Sequence, residues 1–299
     1  MLDFSQAKKI EWQDSELLIP YLRNLATPSC EMSFANLKMW SEVYGTEFLQ
    51  YGENYLFFSA SDGILYFPRW SNLSAELLVE IANDFKNFYQ LGQVTIYDVD
   101  PEWLEDNGDI CNFFHAEANE DDFDYLYFNE NLAAMSGAIL KKKRNLINQF
   151  QKNYPNYFIE YLSAENADKC SKFARDLNNL LEQTEFVDEE NQSMDYAFKN
   201  LELLDLQGFM LYAEPNLPVG FTVYSFLNDT YADIHYEKAC HDVKGSPQIL
   251  VQLLANELLK KGVKCMNREQ DLGSNGIRQA KKSLAPFDYY RRVKLAEIK

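Results

Sequence analysis

The sequence predicts an α/β protein with mixed sheets, built from two tandem copies of one unit. The first observation is the stretch Tyr231 to Ser283, which reads as strand, loop, helix, strand, turn and helix. The second is a weak internal repeat, because residues 47–99 and 209–267 share one order of strands, helix, glycine and strand. The third is the aromatic content, 19 Tyr and 21 Phe, which suits a strand-rich core. We place the division near residue 125, giving units 1–125 and 126–299.

The elements of the first copy follow from its apolar periodicity and its turn residues. Ser61-Asp62-Gly63 is a hairpin-turn signal, and Ser74 can cap a helix with apolar residues at helical spacing. We predict helices over 14–25, 33–40 and 74–89, and strands over 47–50, 55–59, 64–68 and 94–99.

The second copy is read in the same way. Ser246 and Pro247 begin a helix whose end is marked by Gly262, and the strand before it alternates polar and apolar side chains. We predict helices over 141–150, 166–182, 194–204 and 248–260, and strands over 157–162, 209–213, 219–226, 231–236 and 263–267. A final strand contains Tyr289 and Tyr290, for which packing is favoured over a role in protonating a leaving group.

Charge excludes one class of function and leaves others open. The 299 residues carry a net charge of −18, which repels phosphate and argues against a general nucleic-acid or DNA binder. The charge is uneven, since twelve acids and no Lys or Arg lie between Asp98 and Glu130, whereas residues 260–299 hold eleven Lys or Arg. A local basic surface is therefore compatible with the composition.

Five scattered cysteines show neither zinc nor redox spacing, so we predict free thiols and no metal site. The N-terminus lacks a signal pattern, and no apolar run reaches the ~18 residues that span a bilayer. These features predict a cytoplasmic protein with at most peripheral membrane contact.

A dense polar run, Arg268-Glu269-Gln270-Asp271, follows the strand 263–267. Ligands of open α/β sheets bind at such strand ends. Alternation would place Arg268 and Gln270 on one side and Glu269 and Asp271 on the other. Either Glu269 or Asp271 can act as a general base, or Arg268 can pair with an acid for a structural purpose.

Strand alternation places His235 and Glu237 on one face of the strand before the loop 243–247. Imidazole titrates near neutral pH, which suits proton transfer. A hydrogen-bonded core histidine is the competing interpretation, and it is the more common one.

Several motifs together resemble one bacterial family. They are Phe34-Ala35-Asn36-Leu37-x-x-Trp40, Asp124-Tyr125-Leu126-Tyr127, Lys143-Arg144-Asn145-x-Ile147-x-x-Phe150, Tyr154-Pro155 and Asn267-Arg268-Glu269-Gln270-Asp271-Leu272-Gly273. The chain is similar over essentially its whole length to the C-terminal domain of phosphatidylglycerol lysyltransferase. The resemblance implies two tandem Gcn5-related N-acyltransferase-like domains, with acyl-coenzyme A or aminoacyl-tRNA as donor. The resemblance does not extend to the membrane-spanning half of the lipid-modifying enzyme.

The same resemblance implies that His235 or Glu237 is a further candidate for the general base, because this fold tends to place its base on the strand before the loop. It also suggests where donor phosphates bind. Lys244, Gly245, Ser246 and Gln248 occupy the position of the acyltransferase phosphate loop, at a helix N-terminus that favours anions. Only one glycine of the usual signature is present and Pro247 lacks an N–H, so an ordinary capping turn is an equal interpretation. Arg144 and Asn145 lie in a basic helix that can hold phosphate or serve as a solvated face.

Three hypotheses remain open from the sequence. The chain is an acyl- or aminoacyltransferase acting on an amine or hydroxyl, with Lys244, Arg144 and Arg268 holding the donor phosphates. Alternatively, it is a catalytically idle pair of such domains that binds a ligand or partner, or a peripheral membrane module acting on lipid headgroups. The sequence gives neither the donor and acceptor nor the oligomeric state.

Overall fold

The structure, a computed structural model, describes residues 2–179 and 185–298, and of Glu185 and Phe186 only the backbone. The described strands form two seven-stranded sheets. They are β1 Lys8–Lys9, β2 Thr46–Tyr51, β3 Asn54–Ser59, β4 Ile64–Tyr66, β5 Thr95–Val99, β6 Phe114–Glu117, β7 Asp124–Phe128, β8 Phe158–Tyr161, β9 Gln207–Glu214, β10 Leu217–Phe226, β11 Tyr231–Ala239, β12 Cys265–Asn267, β13 Asp288–Tyr290 and β14 Val293–Glu297.

The helices begin at residues that the sequence marks as caps in several cases. The side chains of Ser33, Ser74 and Asp100 each accept a hydrogen bond from a backbone N–H of the first helical turn. The described α-helices are α1 Ser15–Arg23, α2 Phe34–Tyr44, α3 Ala75–Tyr89, α4 Pro101–Asp106, α5 Asn129–Ala134, α6 Lys141–Asn153, α7 Ala167–Asn178, α8 Glu185–Lys199, α9 Ser246–Lys260 and α10 Asn275–Lys282.

The two sheets have the same topology, which explains the internal repeat. The first sheet has the order β1-β2-β3-β4-β5-β14-β6, and the second has the order β8-β9-β10-β11-β12-β7-β13. In each sheet one pair is parallel, β4 with β5 and β11 with β12, and all other pairs are antiparallel. A long helix, α3 or α9, connects the parallel strands, as parallel pairing requires.

The two units exchange one strand. β7, from the middle of the chain, lies between β12 and β13 in the second sheet, whereas the last strand β14 lies between β5 and β6 in the first. In each sheet, a strand from the other unit thus occupies the position where the repeat predicts a strand of the unit's own sequence. The last strand therefore lies in the sheet of the first half, across the division that we predict at residue 125.

The buried apolar residues form three cores, which define the layers of the molecule. One core packs α3 on the first sheet, and another packs α5, α6 and α9 on the second. The third lies between the sheets and contains apolar residues of α1, α2, α7 and α8. Strand alternation sorts the faces, since Phe57 belongs to the middle core while Phe58 belongs to the core beneath α3.

Most predicted elements coincide with observed ones within a few residues, but two differ. The helix predicted at 194–204 begins at Glu185 and ends at Lys199. The final strand is split into β13 and β14, which belong to different sheets. Residues 180–182 of the helix predicted over 166–182 lie outside the described residues, and its described part ends at Asn178. None of the described helices is both long and apolar enough to cross a membrane.

Candidate functional site

A cavity of about 530 Å³ lies between the two sheets and takes its walls from both units. Four carboxylates line it: Glu31, Asp62, Glu190 and Glu269. Four aromatic side chains of α2, β4 and β5 line it as well: Trp40, Tyr44, Tyr66 and Tyr97. The rim is exposed, since Tyr44 and Leu272 keep 43% and 57% of their surface accessible. The size and the mixed lining suit a small molecule or the reacting end of a larger one.

A β-bulge in β11 turns His235 into the cavity. Val223 and Tyr224 of β10 pair with Tyr236 and Ile234, so His235 is the extra residue that has no partner in the register. The bulge shifts the alternation by one residue, and both His235 and Tyr236 line the cavity. The prediction that His235 and Glu237 share a face is therefore wrong, because the bulge puts Glu237 beside Arg268 instead.

Glu269 reaches the cavity through a left-handed backbone conformation. β12 ends at Asn267, and Glu269 has φ +54°, which is uncommon for a residue other than glycine. The side-chain oxygen of Asn267 accepts from the Glu269 N–H at 2.6 Å, and Lys281 Nζ donates to the carbonyls of residues 268, 269 and 270. Glu269 and Gln270 consequently both line the cavity, so the predicted alternation is also wrong here.

Three ionisable side chains meet at this wall. His235 Nδ1 lies 3.4 Å from Glu269 Oε1 and 3.6 Å from Asp233 Oδ2. The other ring nitrogen, Nε2, is 2.9 Å from the hydroxyl of Ser225. Asp233 is fully buried, and neither of its carboxylate oxygens has a hydrogen-bond partner among the described residues. Burial, reinforced by the charge of Glu269, raises the pKa of Asp233 well above its ordinary value.

The other two carboxylates proposed as bases lie outside the cavity lining. Glu237 accepts a hydrogen bond from Arg268 at 2.5 Å. Arg268 thus has the acidic partner that its structural interpretation predicts. Asp271 is buried and accepts from Tyr125 Oη at 2.5 Å and from two nitrogens of Arg278. Burial opposes its ionisation, but these hydrogen bonds outweigh it and lower the pKa of Asp271 to about 2. A carboxylate so held is a poor base near neutral pH.

The candidates for the phosphate loop lie against the basic helix α6, beside the core that α5, α6 and α9 form on the second sheet. Gly245 has φ +90°, and a Cβ there would overlap the carbonyl oxygen of Leu146 in α6. The buried hydroxyl of Ser246 donates to the carbonyl of Cys240 at 2.5 Å. Arg144 donates to the carbonyls of Met135 and Gly137. These contacts are those of a capped, closely packed turn, while Lys244 and Asn145 are exposed and Gln248 is half-buried.

A buried charge network joins the units beside the cavity. Arg292, 1% exposed, bonds to Glu31 at 2.5 Å and to Asp124, and its Nε lies 3.8 Å from Asp98. Asp98 also accepts from Ser29 at 2.8 Å and from Arg69 at 2.6 Å. Burial, with added repulsion from Asp98 and Asp124, raises the pKa of Glu31 to about 7 despite the attraction of Arg292.

Sequence reasoning missed Glu31 and Arg292 as site residues. Glu31 sits in a short turn between α1 and α2, and Arg292 lies between two strands that belong to different sheets. Neither residue has a local sequence pattern that marks it as a site residue. The strand exchange, which is not a local feature, brings the two together. The motif residues Asn36, Leu37 and Trp40 did carry a signal, since all three line the cavity.

Comparison with known proteins identifies the relatives of this chain. The profile of the family described as phosphatidylglycerol lysyltransferase, C-terminal, matches residues 22–292. No protein among those of curated function matches significantly. A conserved protein of unknown function from Bacteroides thetaiotaomicron superposes with a TM-score of 0.88 at 25% identity, covering 98% of this chain and 99% of that one.

Two solved structures carry descriptive names. The C-terminal domain of a putative lysylphosphatidylglycerol synthetase from Agrobacterium fabrum has a TM-score of 0.64 at 11% identity, covering 97% of this chain and 93% of the other. L-PGS from Bacillus licheniformis has a TM-score of 0.60 at 14% identity, covering 90% and 92%. These likenesses confirm the predicted fold, a mixed α/β chain of two tandem units.

Proposed function

The chain belongs to the family of phosphatidylglycerol lysyltransferase C-terminal domains, and on that premise we propose that it is an aminoacyltransferase working in the cavity between the sheets. Family and fold point to acyl or aminoacyl transfer as the class of reaction. The finer proposal is that the donor is an aminoacyl-tRNA and the acceptor a hydroxyl or an amine. The observation that carries it is the acidic and aromatic lining of the cavity.

The lining favours a cationic substrate group. Glu31, Asp62, Glu190 and Glu269 face the cavity, whereas Lys294 is its single lysine or arginine among the described lining residues. Lys294 is itself paired with Asp122 at 2.7 Å. Glu31 and Glu190 are paired with Arg292 and Lys238, whereas Asp62 and Glu269 have no lysine or arginine partner among the described residues. An aminoacyl ester carries an α-ammonium group, and a lysyl ester carries a second one, so these two carboxylates can attract it. The rings of Trp40 and Tyr66 can contact the aliphatic part.

Glu31 is the proposed general base. A base is most effective when its pKa lies near the working pH, and burial holds the pKa of Glu31 at about 7. The carboxylate would take the proton of the acceptor O–H or N–H as the acceptor oxygen or nitrogen attacks the ester carbonyl. The new ester or amide forms as the ester bond to tRNA breaks, and the leaving tRNA oxygen takes the proton back from Glu31 to become a hydroxyl.

The turn at Gly245 argues for a tRNA donor over coenzyme A. The acyltransferase loop binds pyrophosphate through free backbone N–H groups at a helix N-terminus. Here Pro247 supplies no N–H, the Ser246 N–H donates to the Val243 carbonyl at 3.1 Å, and Leu146 fills the space beside Gly245. A coenzyme that needs this cradle would find few donors available.

The test is transfer from tRNA charged with radiolabelled amino acids, lysine first, to phosphatidylglycerol vesicles and to soluble amines. Label should move to one acceptor class with the wild-type protein and fall by at least about tenfold with Glu31→Gln, as expected for loss of a general base. Glu80→Gln, on the exposed face of α3, is the matched control. Absence of transfer from every aminoacyl-tRNA to every acceptor refutes the proposal and favours the idle, ligand-binding alternative.

Titration calorimetry with acetyl-coenzyme A separates the two donors. We expect no binding heat, because the loop is closed by its own contacts. Binding that is lost on changing Lys244 or Gln248 would assign the donor to coenzyme A instead.

A further inference from the structure

We propose that Asp233, His235 and Glu269 form a binding site for one divalent transition-metal ion at the wall of the cavity. Among the described residues, these three side chains form a group of potential metal ligands. Their ligand atoms all lie within 4.8 Å of one another. The inference stands on ligand geometry and does not depend on the proposed transfer reaction.

The distances match those of a metal site. Zn²⁺ binds imidazole nitrogen and carboxylate oxygen at roughly 2.0–2.2 Å, so tetrahedral ligand atoms stand about 3.4 Å apart. The two distances from His235 Nδ1 are 3.4 Å to Glu269 and 3.6 Å to Asp233. The third distance, between the ligand oxygens of Asp233 and Glu269, is at most 4.8 Å. A small rotation of Glu269, whose side chain is 26% exposed, can shorten it.

The cluster contains buried polar atoms that no donor or cation of the described residues satisfies. Both oxygens of Asp233 and Nδ1 of His235 are buried without a hydrogen-bond partner among the described residues. An unpaired buried carboxylate is costly. The neighbouring cations are already engaged, since Arg292 bonds to Glu31 and Asp124, Arg268 to Glu237, and Lys281 to three carbonyls.

Ser225 supplies the outer-shell contact that a metal-binding histidine usually has. When Nε2–H donates to the Ser225 hydroxyl at 2.9 Å, the Nδ1 lone pair is free and lies beside the two carboxylates. Metal ligands bind in their deprotonated forms, so a neutral imidazole and two carboxylates would offer a charge of −2, which a divalent ion neutralises. Mixed nitrogen and oxygen ligands favour first-row ions such as Zn²⁺ or Mn²⁺ over Mg²⁺.

The site has an open coordination position. Three protein ligands with a free fourth position are typical of catalytic zinc. His235 and Glu269 both line the cavity, so that position is accessible from it. A bound ion could there accept a water or a carbonyl oxygen and polarise it.

The test is calorimetric titration of the chelator-treated protein with ZnCl₂, MnCl₂ and MgCl₂, combined with thermal melts in each ion. We expect one Zn²⁺ or Mn²⁺ per chain and a rise in melting temperature on binding. Because outer-shell changes alone weaken metal binding by about 10- to 100-fold, Asp233→Asn and Glu269→Gln should each weaken it by at least about 100-fold. The Mn²⁺ arm removes any contribution from the free cysteines, because thiolates prefer softer ions.

Asp62→Asn is the matched control, since Asp62 is another cavity carboxylate outside the cluster. It should bind the ion as the wild type does. Asp233→Asn removes a buried charge without changing shape, so its melt without metal shows whether it folds. No binding by the wild type, or binding unchanged in both cluster variants, overturns the proposal.

Discussion

Replacing Glu31 with glutamine removes an ionisable group whose pKa burial raises from 4.5 to about 7. The folded protein therefore binds a proton at Glu31 more tightly than the unfolded chain does, and the stability that this proton contributes is lost as the pH rises from about 4.5 to about 7. Each pKa unit corresponds to about 1.4 kcal/mol, so the free energy of unfolding of the wild type should fall by roughly 2–3 kcal/mol relative to Glu31→Gln between pH 5 and pH 8.

The assay is urea denaturation of both proteins in the same buffers at half-unit steps from pH 5 to pH 8. The other carboxylates titrate in both proteins, so the difference between the two curves isolates Glu31. We expect that difference to change with a midpoint between pH 4.5 and 7, in favour of the glutamine variant at high pH. A difference that stays constant within 0.5 kcal/mol, about the extrapolation error of such measurements, would refute the assigned environment of Glu31.

Four further outcomes follow from the same contacts. Arg292→Met leaves Glu31, Asp98 and Asp124 without their shared cation and should cost about 3–5 kcal/mol in urea denaturation. Asp271→Asn should cost about 2 kcal/mol at pH 7, and that cost should vanish as the pH falls from about 4 through 2, measured by thermal melts across this range. Gly245→Ala should cost more than about 1 kcal/mol, because φ is +90° and Leu146 occupies the space, and it should leave transfer activity per folded molecule unchanged. Lys281→Met should raise amide exchange of residues 268–271 and weaken metal binding, since it frees three carbonyls; unchanged exchange would show that the loop holds its conformation without Lys281.

Much of the fold is predictable because its signals are local. The helix Ser246–Lys260 has its capping loop, its apolar face and its terminal glycine in one stretch of sequence. The turn at Ser61-Asp62-Gly63 likewise fixes the strands β3 and β4 on either side. The order of elements then gives two α/β units.

The strand exchange is not local, and sequence periodicity contains no trace of it. β7 and β14 have ordinary strand patterns, and which sheet each joins depends on the packing of the whole chain. The buried network of Arg292, Asp98 and Asp124 depends on that exchange. Asp124, the last residue of the acidic segment 117–124, is fully buried within that network.

The candidate site is predictable in position but not in geometry. Two residues of the polar run after β12, Glu269 and Gln270, line one cavity together with His235 of β11. Simple alternation fails at two points, the bulge at His235 and the left-handed Glu269, and both redirect side chains toward that cavity. Backbone irregularities of this kind leave no reliable signal in a single sequence, although they are common at functional sites.

The most direct test of the cavity as the place of reaction is to fill it. Thr95 lines the cavity from β5, and Thr95→Trp would place a large ring inside it, while Thr230→Trp alters an exposed loop as the matched control. Transfer of labelled amino acid from charged tRNA should fall by at least about tenfold in Thr95→Trp, the size expected when a substrate is misplaced, and should be unchanged in Thr230→Trp. A folded Thr95→Trp protein that transfers at the wild-type rate would contradict the assignment of the reaction to this cavity.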